Sequence, residues 1–371
     1  MSRTDTQALA SKVIKHATID VYRSHQAVGD MWPTTSASDG NVYTAAGDNH
    51  DSAMNVWRVT RGPHLRIAPH DLFPAPPAED WFLEIVNNVP VDPEIYARHP
   101  EVHPTKGLKP AGLLEIDHVL YMAVEAHNYG DNPAFNRQKN IQGWIVTSHD
   151  FGVTWNCEAT PHDSFFSGRI ASCHFLQFGV GGETPDGYIY AYFPGASDDG
   201  CSYWCNGDYV LLGRVEPDRI LDRKAWKFWT GLEGGQPTWS SNDSDAAPVF
   251  EYFQMTGENH VSFNAGINRY IMGNASFTDS AGSPRPYQQG PWPDSTLRSE
   301  LTLLDSPNPW GPWSVFHRDS NWGTYGDYQP SFPVSWMCNG GRTMFMVSSG
   351  SFDDYNFVTQ RVDLSVFDDS L

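Results

Sequence analysis

Two acidic residues near the start of the sequence, Asp30 and Asp48, flank Asp39 of an Asp39-Gly40 dipeptide, nine positions away on either side. Asp-Gly is a preferred hairpin turn, and residues equidistant from such a turn stand opposite each other, with alpha-carbons about 4.5 to 5.5 Å apart. A symmetric register therefore brings both carboxylates to the open end of one hairpin. Paired carboxylates within reach of one bound sugar are what glycosidic cleavage requires, one protonating the leaving oxygen and the other acting as base or nucleophile. Near neutrality one of the two must keep its proton. A carboxyl spacing of about 5 to 5.5 Å implies retention and about 6.5 to 9.5 Å inversion; the reading favoured here is inversion, with Asp48 as base.

Other polar residues fall where they would share that rim. Glu125 follows the apolar run Leu120 to Val124 and is the strongest third acid, with His127 and Asn128 just beyond it. His174, Asn274, Gln329 and Ser349 occupy the open ends of three further hairpins, and Asp51 is a loop acid rivalling Asp48. Trp32, beside Asp30, either stacks on a sugar ring or belongs to the core. The expected substrate-binding set is thus Trp32, Asp51, Glu125, His127, Asn128, His174, Asn274 and Gln329. No metal-ligand motif and no cofactor are expected, with a structural Ca²⁺ in the central channel left open.

The elements that must position these residues are strands. Aromatics at 13%, with Gly 32 and Pro 27 residues, suit many short strands joined by tight turns, and helical periodicity is scarce. Hairpins are predicted over Met31–Ala46, Gly112–Ala126, His174–Phe193, His260–Gly273 and Pro330–Ser348, turning at Asp39-Gly40, Asp117-His118, Pro185-Asp186-Gly187, Gly266 and Asn339-Gly340-Gly341. Their centres lie roughly 70 to 80 residues apart, the recurrence expected of propeller blades. The fold class predicted is all-β, a five-bladed β-propeller occupying residues 1–371 as one catalytic domain, with residues 1–29 closing the last blade. A β-sandwich or jelly roll is the competing architecture.

A net charge of -20 repels a phosphate backbone, so nucleic acid is not an expected partner. Aromatic faces and carboxylates suit an oligo- or polysaccharide instead. The five cysteines show no CxxC pairing, although Cys201 and Cys205 are close enough in sequence to bridge within a loop. No continuous apolar h-region precedes Gly29 and no apolar run approaches membrane-spanning length. The expectation is a soluble protein without a membrane partner, extracellular if its start is trimmed or its export non-standard and cytoplasmic otherwise, its oligomeric state open.

The run Ser148-His149-Asp150-Phe151-Gly152-Val153-Thr154-Trp155 matches the Asp-box pattern of sialidases and other propellers, a structural turn. Gly29-Asp30-Met31-Trp32-Pro33 and Ser38-Asp39-Gly40-Asn41-Val42-Tyr43-Thr44-Ala45-Ala46-Gly47-Asp48 resemble the opening of glycoside hydrolase family 183, which includes microbial endo-D-arabinanases. Leu120-Tyr121-Met122, Leu211-Leu212-Gly213-Arg214-Val215, Asn264 to Tyr270 and Pro309-Trp310-Gly311-Pro312-Trp313 continue the likeness in order. The resemblance implies a five-bladed propeller that hydrolyses arabinofuranoside polysaccharide, its two catalytic acids falling on Asp30 and Asp48. His50-Asp51 and the Cys201 to Cys205 loop depart from that pattern.

Two other functions compete. A propeller lyase would centre on His127, His174 and Tyr129. A non-catalytic glycan-binding propeller would use Asp30 and Asp48 to hold hydroxyls or Ca²⁺. A sialidase is disfavoured because its Arg-Ile-Pro motif is missing, and serine-hydrolase, Walker and dinucleotide signatures are absent too.

Overall fold

The computed structural model describes residues 9–20, 23–48, 52–61, 82–104, 107–128, 138–197, 200–284, 298–323, 327–350 and 356–367. Their strands form five antiparallel sheets, the blades of a β-propeller. Blade 1 consists of Asp30–Ser36, Val42–Gly47, Met54–Arg61 and Phe82–Asn88. Blade 2 consists of Leu108–Ile116, Val119–His127, Lys139–Ser148 and Phe166–Ser167. Blade 3 begins with His174–Phe175, Ile189–Gly195 and Gly207–Val215 and continues outward through Lys227–Glu233 and Gln236–Ser240. Blade 4 comprises His260–Asn264, Arg269–Thr278, Arg298–Ser306 and Ser314–Trp322. Blade 5 comprises Tyr328–Ser331, Thr343–Ser349 and Asn356–Val366, and Ile14–Ile19 pairs with the last of these as its outer strand.

The first strand of each blade touches the first strand of the next, and that of blade 5 touches that of blade 1, so five innermost strands close a ring around a channel. These strands run in the same direction. The parallel bridge Gln177 to Ser262, just after the short strand His174–Phe175, shows it between blades 3 and 4. Buried on both faces, an innermost strand shows little alternation: every residue of Leu108–Ile116 is buried.

All five predicted inner hairpins are present, and the turns follow from local chemistry. Asp117 and His118 both adopt positive φ, 48° and 67°, as a two-residue hairpin turn requires. The third hairpin differs most from expectation. Its inner strand is only two residues long, and a 3₁₀ turn at Val180–Gly182 occupies the segment that leads to Ile189.

Blades pack through apolar faces, and one large cluster joins blades 1 to 3, where Phe166, Phe193 and Trp226 meet edge to face. Ser148 to Trp155 folds as a self-satisfied turn: Asp150 accepts from the Thr154 amide at 2.8 Å and hydroxyl at 2.6 Å, and Trp155 Nε1 donates to the Gly152 carbonyl at 3.1 Å. It lies at the opposite end of blade 2 from Glu125, since Ser148 pairs with Leu120 and Gly143 with Glu125. Among the described residues the α-helical content is Glu94–Arg98, and no helix is long and apolar enough to cross a membrane. All five cysteines are thiols, so Cys201 and Cys205 do not form the bridge their spacing allowed.

Candidate active site

Because the innermost strands are parallel, their first residues meet at one mouth of the channel. Those residues are Asp30, Lys109 (second in its strand), His174, His260 and Tyr328. Asp30 is buried, and the ammonium of Lys109 donates to both of its carboxylate oxygens at 2.9 Å. The same ammonium lies 3.6 Å from Asp48 Oδ2, and the Tyr328 hydroxyl donates to Asp30 Oδ2 at 3.3 Å. Asp30 and Asp48 thus reach one site, joined by a lysine from the next blade.

Their backbone relation departs from the symmetric register. Near the turn the strands pair as expected, Ser36 with Val42 and Thr34 with Thr44, but a bulge at Trp32-Pro33 shifts the ladder so that Asp30 faces Gly47 and not Asp48. Proline has no N–H to give the ladder, which accounts for the irregularity there. Asp48 lies one residue beyond the pair in a left-handed conformation, φ 48°. The glycine before each aspartate has a steric purpose. At Gly29, φ is 133° and a Cβ would meet Ala46 Cβ at 2.7 Å; at Gly47 a Cβ would meet Lys109 Cδ at 2.9 Å.

Beside this group lies a second, fully buried one. Glu125 stands directly opposite Lys109 on the adjacent strand, and its Oε1 lies 2.6 Å from His127 Nε2, which is 3.9 Å from Glu258 Oε1. The His174 and His260 rings meet edge to face with centroids 5.0 Å apart, and His174 Nε2 lies 2.6 Å from Ser172 Oγ. Burial alone would raise the Glu125 carboxyl, but the charge and hydrogen bond of His127 outweigh it and hold the group at about 2. Burial and the Glu125 charge push Glu258 well above the ordinary carboxylate range, with Asp30 adding to the effect. Burial lowers His174 to about 4 and takes His260 well below its ordinary value.

The other expected site residues divide. Gln329 is buried at the mouth with φ 57°, and neither its amide oxygen nor its nitrogen has a hydrogen-bond partner. Asn128 is committed to backbone closure, its Oδ1 accepting from the Lys139 amide at 2.7 Å. Asn274 holds the loop that carries Glu258: its Oδ1 accepts from the Gly257 amide and Asn259 Nδ2, and its Nδ2 donates to the Met255 carbonyl. Trp32 is 0% exposed, donates Nε1 to the Gly29 carbonyl and packs against Trp57 and Phe357. Of its two readings, the core one holds, since no ring face is open for stacking. Asp51 and Tyr129 lie outside the described residues.

Sequence reasoning missed Lys109, Tyr328, Glu258 and His260. It missed an aromatic wall as well: Trp204 lies edge-on to Tyr328 at 5.6 Å and 6.4 Å from the His127 ring. The one sequence signal available was polarity at innermost-strand starts, because Lys109 and His260 occupy the same position in their hairpins as Asp30 does in its own.

Among solved structures, the chain resembles a GH43_1 enzyme from Xanthomonas citri, with a TM-score of 0.52 and 13% identity over 95% of this chain and 93% of the other. It also resembles the native arabinanase of Bacillus subtilis, with a TM-score of 0.50 and 10% identity over 93% of this chain and 97% of the other. At such identities the likeness shows the shared propeller fold. No curated protein matches the chain in sequence. Residues 91–359, from the end of blade 1 into the outer part of blade 5, match the model of a domain of unknown function, DUF4185. That match spans well over half the sequence, and the chain therefore belongs to the DUF4185 family.

Proposed function

We propose that the protein is a glycoside hydrolase of the endo-D-arabinanase type, cleaving arabinofuranoside bonds in a microbial or plant polysaccharide with Asp30 and Asp48 as the acid/base pair. One observation carries this reading: two buried aspartates at the channel mouth share the Lys109 ammonium. The fold common to this chain and the arabinanase of Bacillus subtilis supports it, as does the resemblance of blade 1 to glycoside hydrolase family 183.

In this reading Asp30, both of whose oxygens accept from the ammonium, takes the anionic role, and Asp48, farther from that charge, donates the proton to the leaving oxygen. This reverses the division expected from sequence alone. The shared ammonium keeps Asp30 Oδ2 and Asp48 Oδ2 within about 6.5 Å of each other, close enough for both carboxyls to reach one glycosidic bond. Tyr328 and Lys109 hold Asp30 in place, and Gln329 has an amide able to bond sugar hydroxyls.

The test is a panel of furanoside and pyranoside glycans offered to wild type, Asp30→Asn and Asp48→Asn. The expected result is release of saturated oligosaccharide from a D-arabinan. Each variant should lose at least about 10²-fold in turnover while still binding the glycan. Undiminished turnover in either variant, or a product absorbing in the ultraviolet as a lyase product does, overturns the reading.

A further inference from the structure

We infer that Glu125, His174 and Glu258 form a binding site for one divalent first-row transition-metal ion of the Zn²⁺ or Mn²⁺ class, set in the channel beside the Asp30–Lys109–Asp48 group. This inference does not rest on the hydrolase reading. Each of the three residues offers a donor atom, and the donors all lie within 4.8 Å of one another. A metal shell with bonds near 2.0 to 2.2 Å spaces its donors roughly 3 to 4 Å apart, so only a small contraction is needed.

The donors are buried and unsatisfied. Glu125, His174 and Glu258 are 0%, 0% and 2% exposed. Apart from the contact between the two carboxyls themselves, Glu125 Oε2, both oxygens of Glu258 and His174 Nδ1 have no hydrogen-bond partner, and neither does Nε2 of the adjacent His260. Buried polar atoms in native proteins are rarely left so. Several of them converging from three blades marks a place where something binds.

Two of the three ligands are each held through one of their two polar atoms. His127 engages Glu125 Oε1 at 2.6 Å and Ser172 Oγ engages His174 Nε2 at 2.6 Å, so Glu125 Oε2 and His174 Nδ1 are the atoms left without a partner. Such outer contacts fix ring orientation and carboxylate rotation around protein-bound metals. Two carboxylates supply the negative charge that a divalent ion offsets, while Lys109 is engaged with Asp30 and Asp48. The imidazole donor of His174 selects the class of ion, because Ca²⁺ and Mg²⁺ take oxygen shells whereas mixed carboxylate and imidazole sets suit first-row transition metals.

The rival account is a proton shared between Glu125 and Glu258, and the experiment separates the two. Full-length protein is stripped with a chelator, then equilibrated with Zn²⁺, Mn²⁺ or Ca²⁺ and dialysed. Bound metal is measured by mass spectrometry and Tm by calorimetry, for wild type and Glu258→Gln. The expected result is about one equivalent of Zn²⁺ or Mn²⁺ per wild-type chain. Tm should rise roughly 3 to 5 °C at a hundredfold excess over Kd, with both effects lost in Glu258→Gln. Co²⁺ should give visible d–d bands on wild type, a readout independent of whether the variant folds. Failure of wild type to retain Zn²⁺ or Mn²⁺, or an equal Tm rise with Ca²⁺, overturns the inference. A Glu258→Gln variant that keeps full metal content does so too.

Discussion

The Lys109 ammonium stands 2.9 Å from both carboxylate oxygens of Asp30, across the junction between two blades. Lysine and aspartate are 4% and 7% exposed there, so this is an ion pair removed from water. Breaking such a pair from one side costs far more than its net contribution, because the surviving charge stays buried. Lys109→Met is expected to lower unfolding free energy by about 3 to 5 kcal/mol, read by guanidinium denaturation, and Asp30→Asn in the same chain should recover part of it. A single variant as stable as wild type would refute the pairing.

Gly47 gives the lysine its room. An added Cβ would lie 2.9 Å from Lys109 Cδ and 3.3 Å from Asp30 Oδ1. Gly47→Ala should cost about 1 to 3 kcal/mol by overpacking and reduce turnover with the circular-dichroism spectrum unchanged. Gly40→Ala is the control. Its Cβ meets nothing within 4 Å although φ is +86°, so it should lose on the order of 1 kcal/mol and keep its turnover.

Trp32 separates packing from ligand contact. Trp32→Ala should destabilise the protein by about 3 to 5 kcal/mol, and Trp32→Phe by less, with KM for the glycan unchanged in the Phe variant. A large rise in KM at unaltered stability would restore the stacking role.

Asn274 is expected to act through the loop that carries Glu258. Removing its three hydrogen bonds with Asn274→Ala should cost about 2 to 4 kcal/mol and lower kcat while leaving KM in place. A change confined to KM would instead make Asn274 a substrate ligand.

The inner hairpins were legible because their turns declare themselves in Asp39-Gly40, Asp117-His118 and Asn339-Gly340, and five of them at blade spacing imply a ring. The convergence of Glu125, His127 and His174 followed from the same periodicity. Lys109 was not legible: in sequence it sits in an apolar-leaning run, and its role comes from the neighbouring blade, a contact that no pattern within one hairpin encodes. Glu258 was hidden differently, in a loop two residues ahead of its strand and fixed there by Asn274 through tertiary bonds. The one-residue slip at Asp30 had a visible cause in Pro33, which the symmetric-register argument passed over.

The outermost strand of blade 5 comes from the beginning of the chain: Ile14 pairs with Val366 and Ile19 with Val362. More than three hundred residues separate the two partners, and contacts so distant in sequence form slowly. The Tyr328 hydroxyl that reaches Asp30 bridges the fifth blade to the first, so that contact forms only once blade 5 has been made. A ribosome-bound chain that has emerged only as far as blade 4 therefore carries its two aspartates without the finished mouth around them.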